Sequence, residues 1–158
     1  MEKSIEMYKE IYKAIRANFL FFCFLTLGVG VIGIAVLANF KYENTLDIYV
    51  VNQIKTWLFL LVMFVIPADH FFYNKKVRTF SKKDKFANIL SLKDYYKKRM
   101  IVLTSMISIQ IGTMVLIRDR SMFYTFLIIL FYFIIIYPVK NRVAKDVLLN
   151  EDEYTLLD

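Results

Sequence analysis

Four apolar stretches alternate with short polar segments along the 158 residues of this chain. The first covers residues 18–40, interrupted only by Cys23, Thr26 and three glycines. The second covers 57–73 and weakens at Asp69 and His70, the third covers 100–117 and the fourth 121–139. A hydrocarbon core of ~30 Å takes about 20 apolar residues at ~1.5 Å each. Stretches one and four meet that length, while two and three sit near its lower limit. The pattern predicts an all-α integral membrane protein, with four transmembrane helices forming two helical hairpins and amphipathic cytoplasmic extensions. A soluble helical globule is the rival, and composition opposes it. With 58% hydrophobic residues, so small a sphere lacks the polar residues to cover itself.

Val36 and Ala38 resemble a signal-peptide cleavage site before Asn39. The preceding segment is too long for that, mixing Glu2, Glu6 and Glu10 with its bases, and a retained anchor is expected.

Charge then sets the orientation. Seventeen of the 21 Lys and Arg residues lie in segments 1–17, 74–99 and 140–158; the other four are Lys41, Lys55, Arg118 and Arg120. Short loops with that bias predict both termini and the central loop in the cytoplasm. The net charge of +7 is thus a topology signal, and the bases hug the span ends in a way that fits no nucleic-acid module. Size and richness in Lys, Ile, Asn, Phe and Tyr suggest a bacterial inner (plasma) membrane. The single Cys and single His leave no disulfide and no metal-ligand spacing, and no cofactor is expected.

The polar segments carry their own periodicity. Ile5, Tyr8, Tyr12, Ile15 and Phe19 form a helical stripe that leads without Gly or Pro into span one. An interfacial helix anchored by tyrosines is expected, with a docking stripe as the alternative. In the basic loop 74–99, Ser81/Asp84 and Ser91/Asp94 each look like helix starts. They predict a short amphipathic helix on the inner surface, then the helix of span three, with anionic lipids as partners. Asn44 or Thr45 is the expected cap of the second helix, and Asn150 the stop before an acidic tail. That tail either folds onto the basic loop or stays mobile. The two halves also superpose loosely, Pro67 matching Pro138; duplication and shared topological constraint both produce that.

Small residues point to close packing. Thr26, Gly30 and Gly33 in span one, and Ser108 and Gly112 in span three, have the spacing that lets helix backbones approach. Spans one and three are expected at the centre, within one chain or across a homo-oligomer, and bulky span four outside.

Polar candidates are few. Pro67 is expected to kink span two. Asp69 and His70 follow it near the inner edge, where a costly carboxylate marks a candidate functional position, with Lys75, Lys76 or Arg99 as counter-charge. Gln110 is the most polar mid-span residue. Without a phosphate loop, metal cluster or nucleophile–base pair in the sequence, the favoured expectation is a non-enzymatic accessory, regulatory or immunity-type membrane protein, working through a membrane-protein partner or its own copies. The alternatives are an oligomeric channel or transporter subunit lined by span three, and a lipid-modifying enzyme using Asp69 and His70.

Overall fold

The computed structural model describes residues 2–39 and 46–157, and these are all helix, turn or coil, with no strand among them. Five α-helices follow in order: α1 (Glu2–Asn39), α2 (Ile48–Arg78), α3 (Lys85–Ile117), α4 (Phe123–Ile136) and α5 (Lys140–Asp146). Short 3-10 segments cover Arg120–Met122 and Glu151–Leu157. Among the described residues, three helices are long and apolar enough to cross a membrane: 6–39 within α1, α2 and α3. α4 passes the same test only together with α5, to which it is bent by 71°.

The helix boundaries have local causes. α1 runs unbroken for 38 residues, so the charged N-terminal segment and the apolar stretch are one rod about 57 Å long. Asp47 starts α2 by accepting from the Tyr49 N–H at 2.6 Å. Asn44 and Thr45, the caps expected from sequence, lie outside the described residues. α2 continues as one helix through Pro67. α3 starts at the Asp84 cap, whose carboxylate accepts from the Ala87 N–H at 2.9 Å.

The expected second start at Ser91 is therefore inside α3, and the basic loop shrinks to 79–84. Asn88 fixes that turn, donating to the Ser81 carbonyl at 2.8 Å and accepting from the Ser81 N–H at 3.2 Å. α3 ends at Arg118 in the left-handed region, φ 52°. α4 ends early because Pro138 has no N–H and pushes Tyr137 out of helical geometry, to φ −51°, ψ 130°. The fourth apolar stretch therefore yields a 14-residue helix, about 21 Å long, where a full-length span was expected. The last helix stops at Asp146, earlier than the expected Asn150. Leu148 takes φ 64°, and the Leu149 N–H reaches the Ala144 carbonyl at 3.0 Å, a left-handed C-terminal cap.

α1 and α3 form the principal interface and run parallel. Tyr8 meets Phe86, Thr26 meets Thr104, and Gly33 faces Ile111, a constant sequence offset at three levels. α2 runs opposite to α3, joined to the α3–α4 turn at one end by Lys55–Asp119 and to α3 at the other by Asp69–Arg99.

Two cores result. The larger lies along the apolar lengths, around Phe19, Leu103, Ile107, Ile111, Phe126 and Ile129. The second lies at the basic end, where α1 supplies Ile11, Tyr12 and Ile15, α3 supplies Ile89, Leu92 and Tyr96, and α5 supplies Val143 and Ala144. Within the N-terminal stripe, Tyr12, Ile15 and Phe19 are buried inside the chain and Tyr8 is half-buried, rather than left on the headgroups as expected. The tail joins it too: Leu157 is buried, and Glu153 accepts from Lys85 at 2.5 Å.

Span four was expected outermost, and the structure reverses this. α4 buries Phe126, Ile129, Tyr132, Phe133 and Ile136, whereas α2 buries only Val51, Val62 and Tyr73. Bulk is the reason. The Phe126 ring fills the space above Gly30, so a large side chain on α4 complements a missing one on α1.

Candidate functional site

The strongest polar constellation lies at the boundary between the two cores. Asp69 occupies the α2 face turned toward α3, two residues after Pro67, and Arg99 comes from the α3 turn beside it. The Arg99 Nε donates to Asp69 Oδ2 at 2.7 Å, and its Nη2 lies 2.6 Å from the same oxygen. Tyr132 on α4 closes a triangle: its hydroxyl donates to Asp69 Oδ2 at 2.5 Å and accepts from Arg99 Nη2 at 2.9 Å. Three helices are joined by three side chains.

Burial makes this pair unusual. The Arg99 side chain is 3% exposed and that of Asp69 11%. Desolvating two charges costs several kcal/mol each, which close pairing and added hydrogen bonds must offset. Aromatic faces contribute here. The Arg99 guanidinium carbon lies 4.8 Å from the Tyr73 ring centre, 5.7 Å from that of Tyr132 and 5.9 Å from that of Tyr96. Ring quadrupoles attract a cation at these distances, most strongly when it is dry.

Each side of the pair has an opening. Asp69 and Arg99 border a cleft of about 660 Å³ between α2 and α3. Opposite, a smaller pocket of about 200 Å³ is bordered by His70, Asn74, Arg142 and Asp146. There the Tyr73 hydroxyl donates to Asp146 on α5. Burial pushes the Asp146 carboxyl above its ordinary range, partly countered by the Tyr73 bond and nearby Arg142, Lys145 and Arg99.

The sequence candidates separate in this frame. Asp69 and His70 diverge: Asp69 turns inward to Arg99, while His70 is exposed and borders the smaller pocket. Of the bases expected near Asp69, Arg99 is the one paired with it. Gln110 is 1% exposed, and neither its Nε2 nor its Oε1 has a hydrogen-bond partner among the described residues. Thr26 is fully buried, its hydroxyl 3.2 Å from that of Thr104. Gly33 receives Ile111, and Gly30 receives Phe126. Ser108 and Gly112 instead face outward on α3, so they take no part in the α1–α3 contact. Helical phase explains this, because Thr104, Ile107 and Ile111 occupy the inner face. Pro67 is exposed on α2.

Tyr73, Tyr96, Tyr132 and Asn88 carry roles that sequence alone did not mark. Their signal was faint: aromatic residues near span ends are ordinary anchors, and only tertiary contact gathers three of them around one arginine.

Comparison with protein-family models, with curated proteins and with solved structures returns no match for this chain.

Proposed function

We propose that the chain is a four-span protein of a bacterial inner membrane, with both termini and the second core in the cytoplasm, the fourth crossing being made by α4 together with the 3-10 turn 120–122 before it and the extended residues 137–139 after it. Its role is that of a non-enzymatic accessory or regulatory factor, contacting another membrane protein through its helices. Anionic lipids surround its basic end. The orientation is supported by the gathering of the bases at the end where α1 and α3 begin and α2 finishes.

The observation that carries the accessory role is α2. It is tied at both ends by charge, Lys55 to Asp119 at 2.6 Å and Asp69 to Arg99, and between them Val62 is buried against the core while the opposite face is uncovered. Trp57, Phe64 and Phe71 all project from it with most of their surface uncovered. A helix held in place but left uncovered presents a fixed apolar face to whatever lies beside it in the membrane. Photo-crosslinkers at Trp57 and Phe64 test this. A protein adduct of one defined mass at both positions supports the role; lipid adducts alone, or robust flux or turnover by the purified chain, reject it.

The alternative, an oligomeric channel or transporter subunit, draws on the outward face of α3, where Ser105, Ser108 and Gly112 are exposed. α3 is enclosed by α1 and α4 on its other side, so in this reading the path lies between copies. Ion flux in liposomes, abolished by Ser108→Leu, favours it.

A further inference from the structure

The cleft between α2 and α3 is graded along the helix axes. Its deep part is apolar, walled by Val65, Ala68 and Val102. Its mouth, toward the basic end, is cationic, with Lys75 and Lys76 on α2 facing Lys98 on α3. No ion pair engages these three lysines among the described residues. Asp69 is the acid on the cleft wall, and its charge is matched by Arg99. The local field at the mouth is therefore positive, above an apolar slot that opens sideways.

We propose that this cleft is a discrete site for one anionic phospholipid. The phosphate sits among Lys75, Lys76 and Lys98, and an acyl chain lies along Val65, Ala68 and Val102. The order of the lining is the argument: apolar where the hydrocarbon would be, cationic where the headgroup would be. A soluble anion would leave the apolar depth unused, and a neutral lipid would leave the three lysines without an anionic partner, Lys76 having only the Phe80 ring at 5.8 Å. This rests on the reading that the chain lies in a bilayer with its basic end inward. It goes beyond general surface attraction by fixing a stoichiometry and a location.

Native mass spectrometry on the full chain, extracted in detergent, stripped of lipid and titrated with phosphatidylglycerol or phosphatidylcholine, tests the site. One phosphatidylglycerol per chain is expected at concentrations where phosphatidylcholine does not bind. K75Q/K76Q/K98Q together should weaken it on the order of 10- to 100-fold. K82Q/K83Q/K97Q, with the same charge change on exposed positions outside the cleft, should change it by less than about threefold. Val102→Trp fills the slot without altering charge and should also remove the lipid; Val102→Phe serves if the larger ring disturbs folding. Equal weakening by both lysine sets, retention in both Val102 variants, or effective competition by glycerol phosphate would overturn the site. If the chain is membrane-extracted but retains no phosphatidylglycerol, only this inference fails. Recovery of the chain soluble without detergent overturns the bilayer reading, and the site with it.

Discussion

Asp69 and Arg99, thirty residues apart in sequence, meet at 2.6–2.7 Å through a single carboxylate oxygen, and the Tyr132 hydroxyl bonds to both. The pair fixes α2, otherwise little covered, against α3 and α4. Removing either partner leaves the other buried and uncompensated, at a cost of about 3–5 kcal/mol. Asp69→Asn and Arg99→Leu should each lower the melting temperature in detergent sharply. The double variant Asp69→Leu/Arg99→Met should recover much of the loss. A double variant no better than the worse single one would mean that the pair does not act as a unit.

Glycine substitutions discriminate the packing. An added methyl at Gly33 would lie 2.3 Å from Ile111 Cγ2, and at Gly30 2.6 Å from Phe126 Cζ. Both neighbours are stiff, so Gly→Ala at either position should destabilise by about 1–3 kcal/mol of overpacking, against up to ~1 kcal/mol of helix propensity gained. At Gly28 and Gly112 the methyl meets no neighbour within 4 Å among the described residues, and the same change should be neutral or slightly stabilising. Thermal unfolding of the four variants checks the contrast.

Gln110 is buried, and both its amide atoms are unpaired among the described residues. Each unsatisfied group costs about 1–3 kcal/mol, so Gln110→Leu should raise stability. A stabilised variant that loses biological activity would mark Gln110 as functional; a destabilised one would show that the amide has a partner in the membrane.

Acid should loosen the end opposite the basic one. Hydrogen bonds from Lys55 and Ser121 hold the Asp119 carboxyl down to about 2, below the ordinary 3.8. A depressed acid contributes stability that is whole above the unfolded value and fades as pH falls from about 4 toward 2. The side chains are partly exposed, so the contribution is at most ~1 kcal/mol. Lys55→Gln should remove most of that acid sensitivity, measured as the difference in melting temperature between pH 6 and pH 3.

Periodicity and length revealed the long apolar helices because both are local properties. The continuity of α1 from its charged N-terminal segment into the apolar stretch was likewise legible, since no Gly or Pro breaks it before Gly28. What the stripe at Tyr8, Tyr12 and Ile15 packs against was not. An amphipathic face looks the same whether lipid, a partner or another helix covers it, and here α3 and α5 do. The start of α3 was misplaced because Ser91/Asp94 has the same form as Ser81/Asp84, whereas the helix starts from the Asp84 cap, with Asn88 holding the turn before it. Asp69 and its counter-charge were visible as types near one boundary. The tyrosine cage was not, because Tyr73, Tyr96 and Tyr132 come from three helices. The misplacement of α4 shows the same limit: bulk suggested lipid exposure, but Phe126 had a glycine to fill.

Cysteine accessibility in intact cells tests the threading most directly. Single cysteines are placed in a Cys23→Ala background at Glu6, in the 79–84 turn at Lys82, at Ser121 and at Asn150. Labelling by a membrane-impermeant maleimide is expected at Ser121 alone, with the other three reacting only after the membrane is opened. Labelling of Glu6 or Lys82 from outside, or protection of Ser121, would contradict the account.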